Sequence, residues 1–168
     1  MLERKIVALR GYLASGKSTA FANLKIHKKM RNWIFIDFEG IRKMFDNDKK
    51  TMTKYADASF FATLKELMKT GKNILTQETS EKMLLEKINK EIKRYKYKIE
   101  TIALIVSPEI SYKRAAERRM AKGLKPRSKK EVFESYKNRK ESLDKEKIKI
   151  DVDNLNKEQV VERILRLI

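Results

Sequence analysis

Gly11-Tyr12-Leu13-Ala14-Ser15-Gly16-Lys17-Ser18, followed by Thr19, is the stretch of this chain with the most chemical content. Its glycines, lysine and hydroxyl fall in the pattern G-x-x-x-x-G-K-[ST]. Glycine permits backbone angles that turn successive N–H groups toward one centre, and such a ring of donors holds an anion. Lys17 supplies a charge for the two outer phosphates of a triphosphate. Ser18 offers a hydroxyl to Mg2+, and Thr19 one to an inner phosphate. A helix starting here adds the positive end of its dipole. Gly11, Ala14, Ser15, Gly16, Lys17, Ser18 and Thr19 are therefore the expected binding residues for ATP, with Mg2+ as its ion.

Such a loop needs a strand before it and a helix after it. Ile6-Val7-Ala8-Leu9 is an apolar run suited to a buried strand, and Thr19 to Leu24 reads as a helix with Ala20, Phe21 and Leu24 toward a core. Further strands are expected at 33–36, 73–76, 99–106 and 148–152. A short helix is expected from near Glu39, closed by a polar turn at Asp46-Asn47-Asp48. Another covers 56–70 with Phe60, Phe61, Leu64, Leu67 and Met68 on one face and Gly71 as its cap. Ser80 caps a helix over 81–95 whose core face is Leu84, Leu85, Ile88, Ile92 and Tyr95. Ser107-Pro108-Glu109 reads as an N-cap, a first-position proline and a first-turn acid. Ser128 and Glu131 form a capping box ahead of Val132, Phe133 and Tyr136. Asn156 caps a last helix that turns Val160, Val161, Ile164, Leu165 and Ile168 inward.

Strands alternating with helices predict an α/β protein: a three-layer P-loop NTPase of the kinase type, with a five-stranded parallel sheet. Residues 1–168 read as a single domain, which that length suits. Ligands of such sheets bind at the carboxyl ends of the strands. Those ends carry the glycine loop, Asp37 and Glu39, Gln77 and Glu78, and Ser107.

With no cysteine and a single histidine, His27, the chain offers neither disulfides nor a histidine or thiolate metal cluster. His27 reads as part of a solvated helix end. No apolar run is long enough for a signal peptide or a membrane span, so a cytoplasmic protein with no membrane partner is expected. The formal net charge is +18. That favours a polyanionic partner such as nucleic acid, although a lysine-rich composition yields the same charge without one. From Ser111 to Lys130 there are nine basic residues against one acid, Glu117. This stretch includes a glycine-proline break and reads as a lid, about 112–130, that brings arginines to phosphates and excludes water.

Asp37-Phe38-Glu39-Gly40-Ile41-Arg42 resembles the I-D-x-D-x-x-R element of zeta-toxin-like kinases and the D-x-x-R element of polynucleotide 5′-hydroxyl kinases. The segment from Val106 to Arg114 is similar to the zeta-type segment after the fourth strand. The resemblance covers most of the chain. It implies an ATP-dependent kinase acting on a hydroxyl-bearing acceptor, with an antitoxin-like protein as a partner of zeta-type members. It places Glu39 at the general base, Arg42 at the arginine that orients acceptor or phosphate, and Arg118 and Arg127 at the lid arginines; Lys17 completes the catalytic set. Asp37 is the rival base, or holds Mg2+ through water. Arg114 and Arg119, on the same helix, read as surface charge.

The chain departs from the family pattern at three points. Glu39 is one methylene longer than the usual aspartate. Gln77 stands where an acid is expected, unless Glu78 takes that place. The His-Pro after the base helix is missing. The acceptor therefore stays open between a nucleotide sugar or other small molecule and a polynucleotide 5′-hydroxyl. A nucleotide-dependent regulatory or nucleic-acid-binding module without transferase activity is the remaining reading.

Overall fold

A computed structural model of the chain describes residues 3–45 and 51–168. Strand β1 (Arg4–Gly11) runs into helix α1 (Lys17–Ile26) through the glycine loop. There follow a 3-10 turn (Lys28–Met30), β2 (Ile34–Asp37), α2 (Phe38–Lys43), α3 (Thr51–Met68), β3 (Ile74–Gln77) and α4 (Glu81–Tyr95). The chain continues through β4 (Tyr97–Ile105), α5 (Pro108–Met120), α6 (Lys129–Asp144), β5 (Ile148–Asp151) and α7 (Lys157–Leu165). The strands form one five-stranded parallel sheet in the order β2-β3-β1-β4-β5, as the α/β expectation requires. The glycine loop thus leaves the central strand, at the end where such sheets bind ligands. The expected turn at Asp46-Asn47-Asp48 lies outside the described residues.

The described chain divides into two compact units. The first comprises residues up to Leu9 and Leu24–Thr101. Its core gathers Ile6, Phe38, Phe60, Leu64, Met68, Ile74, Leu84, Ile88 and Tyr97. Ile6, Val7, Ala8 and Leu9 of β1 pair in register with Ile74, Leu75, Thr76 and Gln77 of β3, whose side chains are buried. On the other edge of β3, Asp37 of β2 is level with Gln77. Phe60 meets Phe38 and Phe61 edge-on, so that α2 and α3 pack around three rings. The helix expected over 56–70 begins earlier, at Thr51. In α4, Leu84, Ile88 and Ile92 are buried, whereas Leu85 is 41% exposed. Leu84 and Leu85 are adjacent and point about 100° apart, so Leu85 falls on the solvent edge of the stripe.

The second unit comprises Arg10–Asn23 and Ile102–Ile168. Ile102 to Ile105 of β4 pair with Ile148 to Asp151 of β5. The capping boxes expected at Ser128 and Asn156 both form. Ser107 does not cap α5 with its side chain; its N–H instead donates to Asp153 Oδ1 at 2.8 Å, tying the start of α5 to the loop after β5. In α6, Val132 and Leu143 are buried while Phe133 and Tyr136 are half-buried. No helix among the described residues is long and apolar enough to cross a membrane.

Candidate active site

The glycine loop lies wholly in the second unit. Gly11 sits at φ +154, and a Cβ there would lie 2.4 Å from the Leu104 carbonyl oxygen and 2.7 Å from Ser15 Oγ. Only glycine lets β1 end this close to β4. Ala14 (φ 55) and Gly16 (φ 90) also take positive φ, the angles that turn N–H groups to one side of a loop. For Ala14, which carries a Cβ, those angles store strain of the kind found at ligand sites. The loop is pinned from α5: the buried Ser111 hydroxyl donates to the Leu13 carbonyl at 2.7 Å. The Ala20 N–H donates to the Gly16 carbonyl at 2.8 Å and opens α1.

Lys17 is only 8% exposed, and its Nζ donates to the carbonyls of Gly11 (3.0 Å) and Tyr12 (2.8 Å). The ammonium is thus curled over the loop. Ser18 and Thr19 at the mouth are exposed. Two features fit a bound polyphosphate. The Ser15 hydroxyl is buried without a hydrogen-bond partner in the protein. Above Gly16 a Cβ would meet nothing within 4 Å, so the space over the loop is open. Ser18 is the residue here with a hydroxyl for Mg2+, and no group of three or more acidic, histidine or cysteine side chains among the described residues makes a resident metal cage. That suits an ion that arrives with a phosphate.

A cavity of about 530 Å3 opens from this loop. Ala14, Ser15, Gly16 and Thr19 line one part, with Arg114 and Arg118; Val152, Leu155, Asn156 and Lys157 line the rest. Its size falls in the usual range for small-molecule sites, and both charged and apolar side chains line it. Arg118 is thus on the same cavity as the glycine loop. Arg114 is not surface charge: its Nη2 donates to the carbonyls of Val152 (3.0 Å) and Asp153 (3.1 Å), so it braces the far wall. Arg119 donates from Nε to the Lys125 carbonyl at 2.7 Å and fixes the turn after α5. Arg127 does not line this cavity; it opens onto a second, shallower hollow of about 460 Å3 with Glu131, Glu134 and Arg139.

Helix α6 is fastened to the loop along one face. Tyr136 stacks on Tyr12 with centroids 3.8 Å apart and planes 7° from parallel. Arg139 Nη1 donates to the Gly11 carbonyl at 3.1 Å. Arg10 pairs with Glu146 and donates from Nη2 to Ser142 Oγ at 3.0 Å. Burial, and then the Tyr136 hydroxyl, hold the Tyr12 phenol well above its ordinary range, so it stays protonated. Arg139 is the residue the sequence reading missed. No local pattern marked it: it is an exposed arginine whose carbonyl partner lies 128 positions away.

The remaining candidates belong to the first unit. Asp37 ends β2 in extended conformation and makes no side-chain cap to α2. Its Oδ1 instead accepts from Gln77 Nε2 at 2.8 Å, across the register pair that joins the two strand ends. Gln77 is 3% exposed, and its Oε1 has no partner in the protein. Gln77, not Glu78, is thus the residue level with Asp37 and bonded to it. An amide there donates, where a second carboxylate could only repel or share a proton. A Cβ on Gly40 would lie 2.8 Å from Asp37 Oδ2, so that glycine leaves room for the carboxylate. Glu78 follows with φ 63, its N–H on the Leu9 carbonyl.

Glu39 lies in the first turn of α2, about half exposed, paired with Lys43 at 3.1 Å. Arg42 stacks 4.4 Å over the Phe38 ring and reaches Asp57 Oδ1 through Nε (3.0 Å) and Nη2 (2.9 Å).

Sheet order, glycine loop and cavity together define the P-loop kinase class of α/β fold. The sequence profile of the Zeta toxin family matches residues 3–164, and the chain belongs to that family. No curated protein matches the sequence. The fold is similar to that of the tunicamycin resistance protein of Deinococcus radiodurans, at 14% identity and TM-score 0.67, covering 98% of this chain and 95% of that one. It is similar also to shikimate kinase from Aquifex aeolicus, at 20% identity and TM-score 0.60, covering 96% and 94%. A chain of the Pnkp1/Rnl/Hen1 RNA repair complex aligns at 21% identity and TM-score 0.61 over 84% of this chain and 47% of that one.

Proposed function

We propose that the protein is an ATP-dependent phosphotransferase that moves the γ-phosphoryl group to the hydroxyl of a small molecule or nucleotide sugar. The observation that carries this reading is the open phosphate loop, with Lys17 curled over it and Arg118 lining the cavity that opens from it. Phosphoryl transfer asks for positioning and charge neutralisation, and this is a set of residues of that kind.

In this reading the loop N–H groups and Lys17 hold the phosphates, and Ser18 would hold Mg2+, which would neutralise charge on the phosphates when bound. The acceptor oxygen forms the new bond to phosphorus as the bond from phosphorus to the β–γ bridging oxygen breaks. Glu39 takes the hydroxyl proton; Arg42 orients the acceptor. Arg118 and Arg127 neutralise charge on the group in flight. The exposure of Glu39 supports it as the base, since a base must reach a substrate proton.

The test is incubation with Mg-ATP and a panel of hydroxyl acceptors, nucleotide sugars among them, with products read by mass spectrometry. ATP-dependent addition of one phosphate to an acceptor is expected. Tight ATP binding with no phosphorylated product from any acceptor or from a cell extract would refute the transferase reading and leave the regulatory module. Glu39→Ala separates the same two: a transferase loses turnover and keeps ATP affinity, whereas a module is indifferent.

One observation favours a polynucleotide acceptor instead. From Lys113 to Lys130 the cations are mostly exposed, and the one acid is Glu117. A steep fall in single-stranded RNA affinity with rising salt, together with 5′-phosphorylation, would establish it.

A further inference from the structure

The Gly11 carbonyl is shared by two cations. Lys17 Nζ donates to it at 3.0 Å and Arg139 Nη1 at 3.1 Å, so ammonium and guanidinium lie within about 6 Å of one another. Lys17 is the lysine of the phosphate loop; Arg139 comes from α6, well past the lid arginines.

Arg139 is held in place from both sides along its helix. Tyr136, one turn before it, stacks on Tyr12. Leu143, one turn after it, is 1% exposed. Beyond that, Ser142 and Glu146 hold Arg10. Residues 136, 139 and 143 follow one helical stripe, Glu146 lies just past the end of the helix, and together they run along residues 10 to 12. The capping box at Ser128 and Glu131 secures the start of the same helix. Arg127, the lid residue carried over by resemblance, lies before the helix begins, in the hollow that Arg139 also lines; both are exposed, but only Arg139 sits between the helix's contacts with residues 10 to 12.

A carbonyl is a weaker acceptor than a phosphate oxygen, and charge-assisted bonds between guanidinium and phosphate are roughly twice as strong as neutral ones. When phosphate enters the loop, the donors gathered at Gly11 have a better acceptor within their reach. We propose that Arg139 is a γ-phosphate ligand, a cation opposite Lys17 that α6 delivers from a fixed position, while Arg118 and Arg127 close from the lid. The proposal rests on the nucleotide-binding half of the phosphotransferase reading and is independent of the acceptor.

The test compares ATP and ADP binding by calorimetry for wild type, Arg139→Ala and Arg139→Lys, with melting temperature measured alongside. A γ-phosphate ligand predicts that Arg139→Ala weakens ATP by about tenfold or more, the worth of one charge-assisted bond, and leaves ADP nearly unchanged. Arg139→Lys should recover part of the loss. The clamps at Tyr136 and Arg10 are expected to keep α6 docked in both variants, and Arg139→Lys retains the charge should the alanine variant unfold. Equal loss of ATP and ADP, or no loss of either, overturns the proposal. Wild-type protein that binds neither nucleotide refutes the nucleotide reading, and the proposal with it. Wild-type protein that binds ATP without transferring phosphate refutes the transferase reading alone, and the ATP-to-ADP ratio still decides the role of Arg139.

Discussion

Gly16→Ala separates a loop built for phosphate from a loop that is merely tight. Gly16 is at φ +90 and a Cβ there meets nothing within 4 Å. The folded protein therefore suffers only the backbone penalty, about 1–2 kcal/mol for a side chain at left-handed angles. For a chain of this length that is about 2–8 °C in Tm. Gly11→Ala carries the same penalty and also drives its Cβ to 2.4 Å from a backbone carbonyl that cannot swing aside. Overpacking of that kind adds about 1–3 kcal/mol, for a loss of about 4–20 °C. The order reverses for ligand sensitivity per degree lost. The methyl at Gly16 projects into the open space where phosphate oxygens would lie, and displacing one charge-assisted hydrogen bond of about 1.5–3 kcal/mol weakens ATP about 10- to 150-fold. Gly123→Ala is the control, since Gly123 has φ +67 and open space around it but lies in the turn after α5. It should melt like Gly16→Ala and bind ATP nearly like wild type. Melting curves and ATP calorimetry on the three variants suffice. A Gly16→Ala protein with wild-type ATP affinity would refute the phosphate-cradle reasoning.

Three further outcomes follow from the geometry. Gln77→Glu puts a second carboxyl at hydrogen-bond distance from Asp37, so the pair must share a proton; the folded state then binds more protons than the unfolded one, and stability relative to wild type falls as pH rises, read from melting at pH 5 and pH 8. Arg114→Met removes charge-assisted bonds to the Val152 and Asp153 carbonyls and should cost about 1.5–3 kcal/mol in urea melts while weakening ATP through the slackened cavity wall. Tyr12 and Tyr97 are both shifted upward by burial first, so two of the six phenols should titrate late at 295 nm. Their sign is that of groups kept protonated by the fold: their stability is present below the ordinary tyrosine range, about pH 10, and is lost as pH rises through the shifted values.

What was legible in the sequence was local. The glycine loop, the strand before it and the helix after it lie within about twenty residues, and each capping box spans four. Apolar stripes read well where their period was unambiguous, as with Leu84, Ile88 and Ile92, and failed at Leu85, where two adjacent leucines competed for one face. The site residues that were misread have distant partners. Arg114 reaches carbonyls 38 and 39 positions away, and Arg139 one 128 positions away. Nothing near either arginine distinguishes it from a solvated cation in a chain of net charge +18. Ser107, whose pattern was local, is the N-cap of α5 as expected, although its hydroxyl makes no cap bond; what the sequence did not show was the distant bond of its N–H to Asp153.

The same contrast explains why the donor is easier to name than the acceptor. A phosphate is held by backbone N–H groups, and backbone geometry is encoded by glycine spacing. An acceptor hydroxyl is activated by a side chain whose fitness depends on what else it touches. Asp37, Glu39 and Asp57 each have a partner: Gln77, Lys43 and Arg42. A general base must first be released from its partner, so the carboxylate with the weakest tie is the one best suited to the task. Asp37 is gripped by a buried amide, and losing its bond would leave a second polar atom of Gln77 unsatisfied beside the orphaned Oε1. Asp57 is gripped twice by a guanidinium that is itself stacked on Phe38. The Glu39–Lys43 pair is an exposed i,i+4 contact, with side chains 48% and 68% accessible, and such pairs are worth only about 0.3–0.5 kcal/mol. Glu39 can be freed at almost no cost, which favours it over Asp37 and Asp57 as the base of the proposed transfer.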